Sequence, residues 1–239
     1  MPAAPTVVLV HGAFAESASW SGVIARLTER GVAAVATPNP LRSVRTDAAN
    51  VRSAVEGIGG PVLLVGHSYG GAVITEAAVD STAVVGLVYV AAFAPDQGEN
   101  ALQLTGQFPG STLGDTVRPY PLDDGSHDLL VDRDLFPNQF AADVAPAEAA
   151  IQARTQRPVR DVALGEAQPS VPAWKSLPSW FVFGDADKNI PVEGLRFMAE
   201  RAGALATEEV AGASHSVMVS QPDAVVAVIL RALDHLATA

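Results

Sequence analysis

Residues 66–70 (GHSYG) place one serine between two glycines, at the corner between two unlike segments of the chain. The preceding residues 62–65 (VLLV) are all apolar, which is typical of a buried strand, whereas residues 76–78 (EAA) favour a helix. A chain that turns from strand to helix within about one residue exposes its corner side chain, and flanking glycines let the backbone segments approach closely. The pattern predicts that Ser68 is a nucleophile held in a strained turn.

A serine hydroxyl becomes an effective nucleophile only when a neighbouring base accepts its proton and an acid orients that base. Among the five histidines, His215 lies in a loop of small residues, 212–216 (GASHS), after the last predicted strand. It also follows the candidate acids along the chain, as this arrangement requires. We therefore predict that His215 is the base.

Two aspartates compete for the role of the acid, Asp185 and Asp187, which follow the apolar residues 179–183 (SWFVF). The acid must reach Nδ1 of His215 and leave Nε2 facing the serine. Asp185 comes directly after a glycine and suits a role in stabilising the turn. Asp187 is the favoured acid, with Asp185 as the alternative.

Acyl transfer also needs two N–H groups that receive the negative charge developing on the carbonyl oxygen. The residue after the nucleophile, Tyr69, supplies one of them at the start of a predicted helix. The second is expected from residues 11–14 (HGAF), which follow the first predicted strand. A glycine in this loop allows its backbone amides to turn inward.

The elements that must position these residues alternate between strand and helix along the chain, which predicts an α/β fold with a mostly parallel sheet. The predicted strands cover Thr6–Val10, Val32–Ala36, Val62–Val65, Val84–Val90, Trp180–Phe183 and Thr207–Val210. The predicted helices cover Ser19–Arg30, Asp47–Ile58, Val192–Ala202 and a closing segment from Pro222. Open sheets of this kind bind ligands at the carboxyl ends of their strands, where Ser68 is expected.

Residues 94–174 break this alternation, because they are rich in Pro, Gly and Asp and show no clear buried strand. A structureless connection of this length is uncommon in a compact domain, and residues 146–155 favour a helix. We predict a helical lid over residues 94–174, inserted into a core formed by residues 1–93 and 175–239. A partly disordered insertion is the alternative.

The composition excludes several classes of protein. Of the 239 residues, 49% are hydrophobic and 17% are charged, which indicates a globular chain, and no apolar run is long enough to span a membrane. The formal charge of −11 argues against nucleic acid or an anionic membrane as a partner. Cysteine is absent and the first residues carry no basic segment, so we expect a cytoplasmic protein without a signal peptide. No metal or cofactor is expected.

The motifs together resemble the α/β-hydrolase superfamily, and in particular its branch of small serine esterases that includes plant methylesterases and hydroxynitrile lyases. The matching stretches are VLVHGAF, LVGHSYGG, VYVAAFAPD, GASHSVMVSQP, the acid loop and residues 134–158 of the predicted lid. The resemblance implies an α/β-hydrolase fold with about six parallel strands. It also implies that the second aspartate of the D-x-D pattern, Asp187, is the acid and that Ala13 supplies the second oxyanion N–H.

This resemblance, with Ser68 as nucleophile, implies a carboxylesterase acting on a small or medium, uncharged ester. Hydroxynitrile lyases of the branch carry a threonine at the position of Gly12 and a lysine at that of Ser216, which argues against lyase chemistry here. Lyase-like or cofactor-free oxygenase chemistry, and a small-molecule receptor, remain the alternatives. The chain is expected to act as a monomer or homodimer.

Five aromatic side chains are candidates for lining an apolar substrate pocket under the lid. They are Phe14, Phe93, Phe136, Phe140 and Trp174. Packing within the lid itself is the alternative role for these side chains.

Overall fold

A computed structural model describes residues 4–238, so residues 1–3 and 239, which belong to the predicted core, lie outside the described part. Six strands form one parallel sheet. They are β1 (Thr6–Val10), β2 (Ala34–Thr37), β3 (Val62–His67), β4 (Val84–Val90), β8 (Ser179–Gly184) and β9 (Ala206–Val210). Their order across the sheet is β2-β1-β3-β4-β8-β9. The six parallel strands predicted from the apolar runs are confirmed, with shifts of a few residues at their ends.

Helices flank this sheet. They are α1 (Ser21–Glu29), α2 (Val44–Ile58), α3 (Tyr69–Ala77), α9 (Val192–Arg201), α10 (Val217–Ser220) and α11 (Pro222–Thr238). Helix α2 packs against α3, while α1 packs against α11, which also contacts β4 and β8. The strand β3 is buried along its whole length, so its apolar residues fix the position of the turn that follows.

The start of α2 shows why that helix begins where it does. Ser43 caps it by accepting a hydrogen bond from the Thr46 N–H at 3.0 Å, and Gly59 ends it with a φ of 69°. The helix therefore begins three residues earlier than the pattern of apolar residues predicts. This early start brings Asp47 into a buried position in its first turn.

Residues 94–174 contain strands as well as helices, whereas the sequence predicts a helical lid without clear buried strands. The helices are α4 (Ala101–Gly106), α5 (Leu113–Thr116), α6 (Phe136–Phe140), α7 (Pro146–Thr155) and α8 (Asp161–Gly165). The strands β5 (Val117–Pro121), β6 (His127–Val131) and β7 (Val159–Arg160) form a small antiparallel sheet. Most of β5 is exposed and it carries two prolines at the sheet edge, so it lacks the apolar run by which buried strands are recognised.

The core is one continuous cluster of buried apolar side chains contributed by both faces of the large sheet. Across residues 4–238, no helix is both long enough and apolar enough to span a membrane.

The end of β8 lies so close to the loop after β9 that only glycine fits there. A Cβ atom at Gly184 would lie 1.9 Å from the carbonyl oxygen of Ala213. We expect Gly184→Ala to lower the free energy of unfolding by at least about 2 kcal/mol, since two backbone segments must move apart. Urea denaturation of the purified variant measures this change.

Gly57→Ala is the matched control, because a Cβ there meets nothing within 4 Å and the residue lies inside α2. Alanine is the better helix former, so the free energy of unfolding of this variant is expected to rise by about 0.5–1 kcal/mol. Equal stability of the Gly184→Ala variant and the parent protein would contradict the close approach.

Candidate active site

Ser68 alone forms the corner between β3, which ends at His67, and α3, which begins at Tyr69. Its backbone has a φ of 53° and a ψ of −125°, a conformation that is strained for a residue with a side chain. The Ser68 carbonyl oxygen accepts hydrogen bonds from the N–H groups of Gly71 at 2.9 Å and Phe93 at 3.1 Å. These bonds hold the strained turn without engaging the Ser68 hydroxyl.

The structure brings Ser68, His215 and Asp187 together in one chain of hydrogen bonds. His215 Nε2 lies 2.9 Å from Ser68 Oγ, and His215 Nδ1 lies 2.6 Å from Asp187 Oδ2. The second oxygen of Asp187 accepts the N–H groups of Asn189 at 2.7 Å and Ile190 at 3.0 Å. A proton on Nδ1 is donated to the carboxylate, which leaves Nε2 free to accept the serine proton.

Asp185, the alternative acid, lies elsewhere. Its carboxylate is exposed and accepts a hydrogen bond from the N–H of Gly212 at 2.6 Å, at the start of the loop that carries His215. It therefore stabilises that loop from outside, without contact with the imidazole.

Residues of the inserted segment hold the His215 loop in place. Asp143 accepts a hydrogen bond from the Ser214 N–H at 3.0 Å, and the Phe140 carbonyl accepts one from the Ser216 N–H at 3.1 Å. The Phe140 ring also meets the His215 imidazole edge to face, with 4.7 Å between the ring centroids. Residues of this segment thus form part of the site.

The two amides predicted to stabilise an oxyanion, those of Ala13 and Tyr69, are buried, and neither donates to a backbone carbonyl among residues 4–238. Gly12 brings the loop against the serine, since a Cβ at this position would lie 2.6 Å from Ser68 Cβ. Tyr69 is the first residue of α3, where the N–H has no partner inside the helix. Both donors are therefore available to a ligand.

Side chains that sequence analysis missed support these two amides. His11 Nε2 accepts the Asn39 N–H at 3.0 Å, which makes Nδ1 the protonated nitrogen, and Nδ1 donates to the Gly12 carbonyl at 2.9 Å. The Tyr69 hydroxyl donates to Asp47 Oδ2 at 3.0 Å. Burial raises the pKa of the Asp47 carboxyl group. The partners in each of these contacts lie far apart along the chain, so the sequence alone gives no signal for them.

A cavity of about 590 Å³ opens beside the serine. Most of its lining residues come from the insertion, and none of those described carries an Asp, Glu, Lys or Arg side chain. They include Ala13, Phe14, Ser68, Phe93, Leu102, Thr105, Phe108, Ser111, Leu113, Val117, Leu129, Phe140, Leu164, Asn189, Ile190 and His215. Its size and apolar lining suit a small organic molecule.

Three of the five aromatic residues predicted to line the pocket, Phe14, Phe93 and Phe140, do line this cavity. Phe136 lies behind it, stacked on Phe140 at 4.8 Å, and faces a separate cavity of about 300 Å³. Trp174 does not line the main cavity, because its Nε1 donates to the Pro95 carbonyl at 3.1 Å where the insertion rejoins the core. It packs there as a structural residue.

The family model of the alpha/beta hydrolase family matches residues 7–228, which include all of the residues assembled around Ser68. The chain is an alpha/beta hydrolase. It is 30% identical over 251 residues to the alpha/beta hydrolase nvfD of Aspergillus novofumigatus, covering 95% of this chain and 96% of that protein.

Two solved structures share the fold of this hydrolase at lower identity. Polyneuridine aldehyde esterase superposes with a TM-score of 0.80 at 19% identity, covering 96% of this chain and 99% of that one. The methylesterase MES16 of Arabidopsis superposes with a TM-score of 0.81 at 18% identity, covering 97% of this chain and 99% of that one. The resemblance to the α/β-hydrolase superfamily drawn from the sequence motifs is confirmed, and these two plant esterases share the fold of the chain.

His67, the residue before the serine, links the two halves of the hydrolase site. It is fully buried, and its Nε2 donates to the His215 carbonyl at 3.0 Å. Burial lowers the pKa of His67 well below its ordinary value of 6.5, with repulsion from the His215 ring, 4.8 Å away, acting in the same direction. Burial also lowers the pKa of His11.

The stability of the hydrolase is expected to fall as the pH drops below about 6.5. The unfolded chain then binds protons at His67 and His11 more readily than the native imidazoles do, so the free energy of unfolding decreases with decreasing pH. A histidine with a lowered native pKa contributes a slope of at most about 1.4 kcal/mol per pH unit, at pH values between its native and its unfolded pKa. Urea denaturation at several pH values between about 7.5 and 5.5 measures this slope.

His67→Gln isolates the contribution of one residue, because a glutamine amide can also donate to the His215 carbonyl yet does not titrate. Below pH 6.5, the slope of the free energy of unfolding against pH is expected to be smaller in this variant by up to about 1.4 kcal/mol per pH unit, the contribution of one proton. An unchanged slope would show that His67 is not neutral in the native state.

Proposed function

We propose that this alpha/beta hydrolase is a serine carboxylesterase that cleaves a small to medium, uncharged ester through an acyl-enzyme intermediate. The observation that carries the proposal is the chain of hydrogen bonds from Ser68 through His215 to Asp187, at the wall of a cavity whose described lining is uncharged. An uncharged, apolar wall favours an ester without ionised groups, since burying an unpaired charge there is costly.

In the first half of the reaction, Ser68 Oγ attacks the ester carbonyl while His215 Nε2 accepts its proton. Asp187 holds the imidazole in the required tautomer and stabilises its positive form. The N–H groups of Ala13 and Tyr69 receive the developing oxyanion, and loss of one such donor typically costs about 3 kcal/mol of transition-state stabilisation. His215 then protonates the departing alcohol.

In the second half, water replaces the alcohol. His215 accepts a proton from this water, which attacks the acyl-serine carbonyl, and the same two amides hold the second oxyanion. Protonation of Ser68 Oγ by His215 releases the acid. Every step uses groups of this chain and the substrate.

Gly12 supports hydrolysis over lyase chemistry, because a side chain there would meet Ser68 Cβ at 2.6 Å and the His67 carbonyl oxygen at 2.7 Å. The threonine of the related hydroxynitrile lyases therefore has no room at this position without a shift of the loop. Ser216, which follows the base, supplies no positive charge for a departing cyanide.

Release of 4-nitrophenol from 4-nitrophenyl esters of graded acyl length tests the proposal. We expect turnover that depends on Ser68, with a preference for acyl chains that the cavity of about 590 Å³ accommodates. A folded protein that binds these esters without releasing product would instead favour a small-molecule receptor, and inertness toward the whole series would contradict the esterase proposal.

A further inference from the structure

A second cavity, of about 300 Å³, adjoins the main cavity of about 590 Å³. Within residues 4–238, two residues line both cavities, Phe14 and Phe140. Ser68 and His215 line only the main one. The wall between the two cavities is therefore one residue thick at Phe14 and Phe140, and the nucleophile lies on one side of it.

The rings of Phe14 and Phe140 close this wall. They meet edge to face, with 6.3 Å between their centroids, which is a contact distance for two aromatic rings. Each residue is only 2% exposed, so both rings are packed into the protein instead of projecting into open space. A substrate chain has no room to pass between two rings in contact, and it therefore ends at this aromatic wall.

The two members of the aromatic wall are held in different ways. The Phe140 ring stacks on Phe136 at 4.8 Å and meets the His215 imidazole at 4.7 Å, while its carbonyl holds the Ser216 N–H. The Phe14 ring has one aromatic contact in the described part of the chain, with Phe140. Phe14 is thus the member that can be replaced without loss of a direct contact to the base.

The backbone at Phe14 is strained, because its φ of 62° is rare for a residue with a bulky side chain. Glycine adopts this conformation at no steric cost, yet the position carries a phenylalanine. Strain of this kind persists where the surrounding structure enforces it, and it clusters at functional sites. Phe14 also follows Ala13, one of the two proposed oxyanion donors, so its ring is fixed close to the reacting group.

We propose that Phe14 is a specificity-determining residue that limits the length of the substrate chain directed at the aromatic wall. The preferred substrates are then esters whose chain on that side ends within the main cavity, and esters with longer straight chains are rejected. Rejection follows because a methylene group without room must displace packed side chains. This inference rests on the proposed esterase activity and narrows its substrate class.

Phe14→Ala tests this role, because alanine keeps the Cβ and the backbone conformation but removes the ring. The two cavities then join, and a longer chain reaches the apolar side chains of Phe136, Ile151 and Met218 in the second one. Each methylene group that finds such a place raises kcat/KM by about fourfold.

Two series of esters vary the chain on either side of the scissile bond. One runs from 4-nitrophenyl acetate to 4-nitrophenyl dodecanoate, and the other runs from methyl to dodecyl butanoate, followed by proton release. The kcat/KM of each ester is divided by that of the shortest ester in its series. This ratio cancels any effect of a substitution on the chemical step itself.

In the parent protein, the ratio is expected to pass through a maximum and then fall with chain length in at least one series. In that series, Phe14→Ala is expected to move the maximum by at least two carbons and to raise the ratio for the longest ester at least tenfold. If thermal unfolding shows that this variant is not folded, Phe14→Leu replaces it, with a smaller shift expected in the same direction.

Gln152→Trp is the control, because Gln152 lines only the second of the two cavities and an indole there fills part of it. Alone, this substitution is expected to leave every ratio within twofold of the parent value, since the parent chain ends at the aromatic wall. Combined with Phe14→Ala, it is expected to cancel the gain for long esters.

Three results would overturn the role of Phe14 while short esters still report Ser68-dependent hydrolysis. They are a parent profile without a maximum in either series, a profile unchanged by the folded Phe14 variant, and a gain that persists when Gln152→Trp is added. Failure of the parent protein to cleave any ester would instead overturn the proposed function, and this inference with it.

Discussion

Ser68→Ala is expected to lower kcat for any ester that the parent protein cleaves by at least about four orders of magnitude. The variant removes the only atom that forms the covalent bond, whereas the amides of Ala13 and Tyr69 remain to provide residual stabilisation of the oxyanion. Steady-state kinetics with the best 4-nitrophenyl ester, at enzyme concentrations high enough to detect the residual rate, measures the loss.

The same variant is expected to fold as well as the parent protein. Within residues 4–238, Ser68 Oγ bonds only to His215 Nε2, and alanine removes one oxygen atom while retaining the Cβ. Thermal unfolding serves as the control, with a midpoint expected close to that of the parent, since alanine keeps the Cβ and leaves the backbone strain at this turn unchanged. Turnover at the parent rate by the folded variant would contradict the proposed mechanism.

Asp187→Asn is expected to lower kcat by a factor of about 10³–10⁴ with little change in KM. An asparagine oxygen can still accept the N–H groups of Asn189 and Ile190, so the loop keeps its shape. The amide NH₂ group then faces His215 Nδ1, which must become the acceptor, and the proton moves to Nε2. In that tautomer the imidazole cannot accept the proton of Ser68.

Asp185→Asn is the matched control for this prediction, since it makes the same chemical change two residues away. Asp185 bonds the Gly212 N–H from the outside of the loop, and an asparagine oxygen can preserve that bond. We expect its kcat to remain within about threefold of the parent value. A larger loss in Asp185→Asn than in Asp187→Asn would reverse the assignment of the acid.

The parts of the fold that follow from local pattern were predictable from the sequence. The buried strands are continuous apolar runs, as in residues 62–65, and glycines and prolines mark their ends. The turn at Ser68 has a strict chemical requirement for small neighbours, because a Cβ at Gly66 or Gly70 would lie 2.6 Å from backbone oxygens. A constraint of this kind is visible in a single sequence.

The insertion could not be predicted to the same depth. Strand β5 contains two prolines and is mostly exposed, so its pairing with β6 depends on a hairpin whose turn contains Gly125 at a φ of 82°. Trp174 is an aromatic residue near the end of the insertion and is predicted from the sequence to line the pocket. Its indole N–H instead donates to a backbone carbonyl 79 residues away, and the side chain does not line the main cavity. Which way a side chain faces in an irregular segment depends on such distant partners.

The same limit applies to the polar groups around the site. The contacts of His11 with Asn39 and of Tyr69 with Asp47 each join residues more than 20 positions apart. The orientation of Asn189 depends on Gln139, 50 positions away. Motifs identify the reacting groups, whereas the groups that support them become visible only when the chain is folded.

The central claim is that Ser68 is a nucleophile activated by His215. A fluorophosphonate reagent tests it most directly, because this class of compound phosphonylates an activated serine and leaves a stable adduct. Intact-mass and peptide mass spectrometry after such treatment are expected to show one adduct per chain, on Ser68, that forms far more slowly in His215→Ala. An adduct on another residue, or ester hydrolysis that continues at the parent rate after complete labelling of Ser68, would contradict the account.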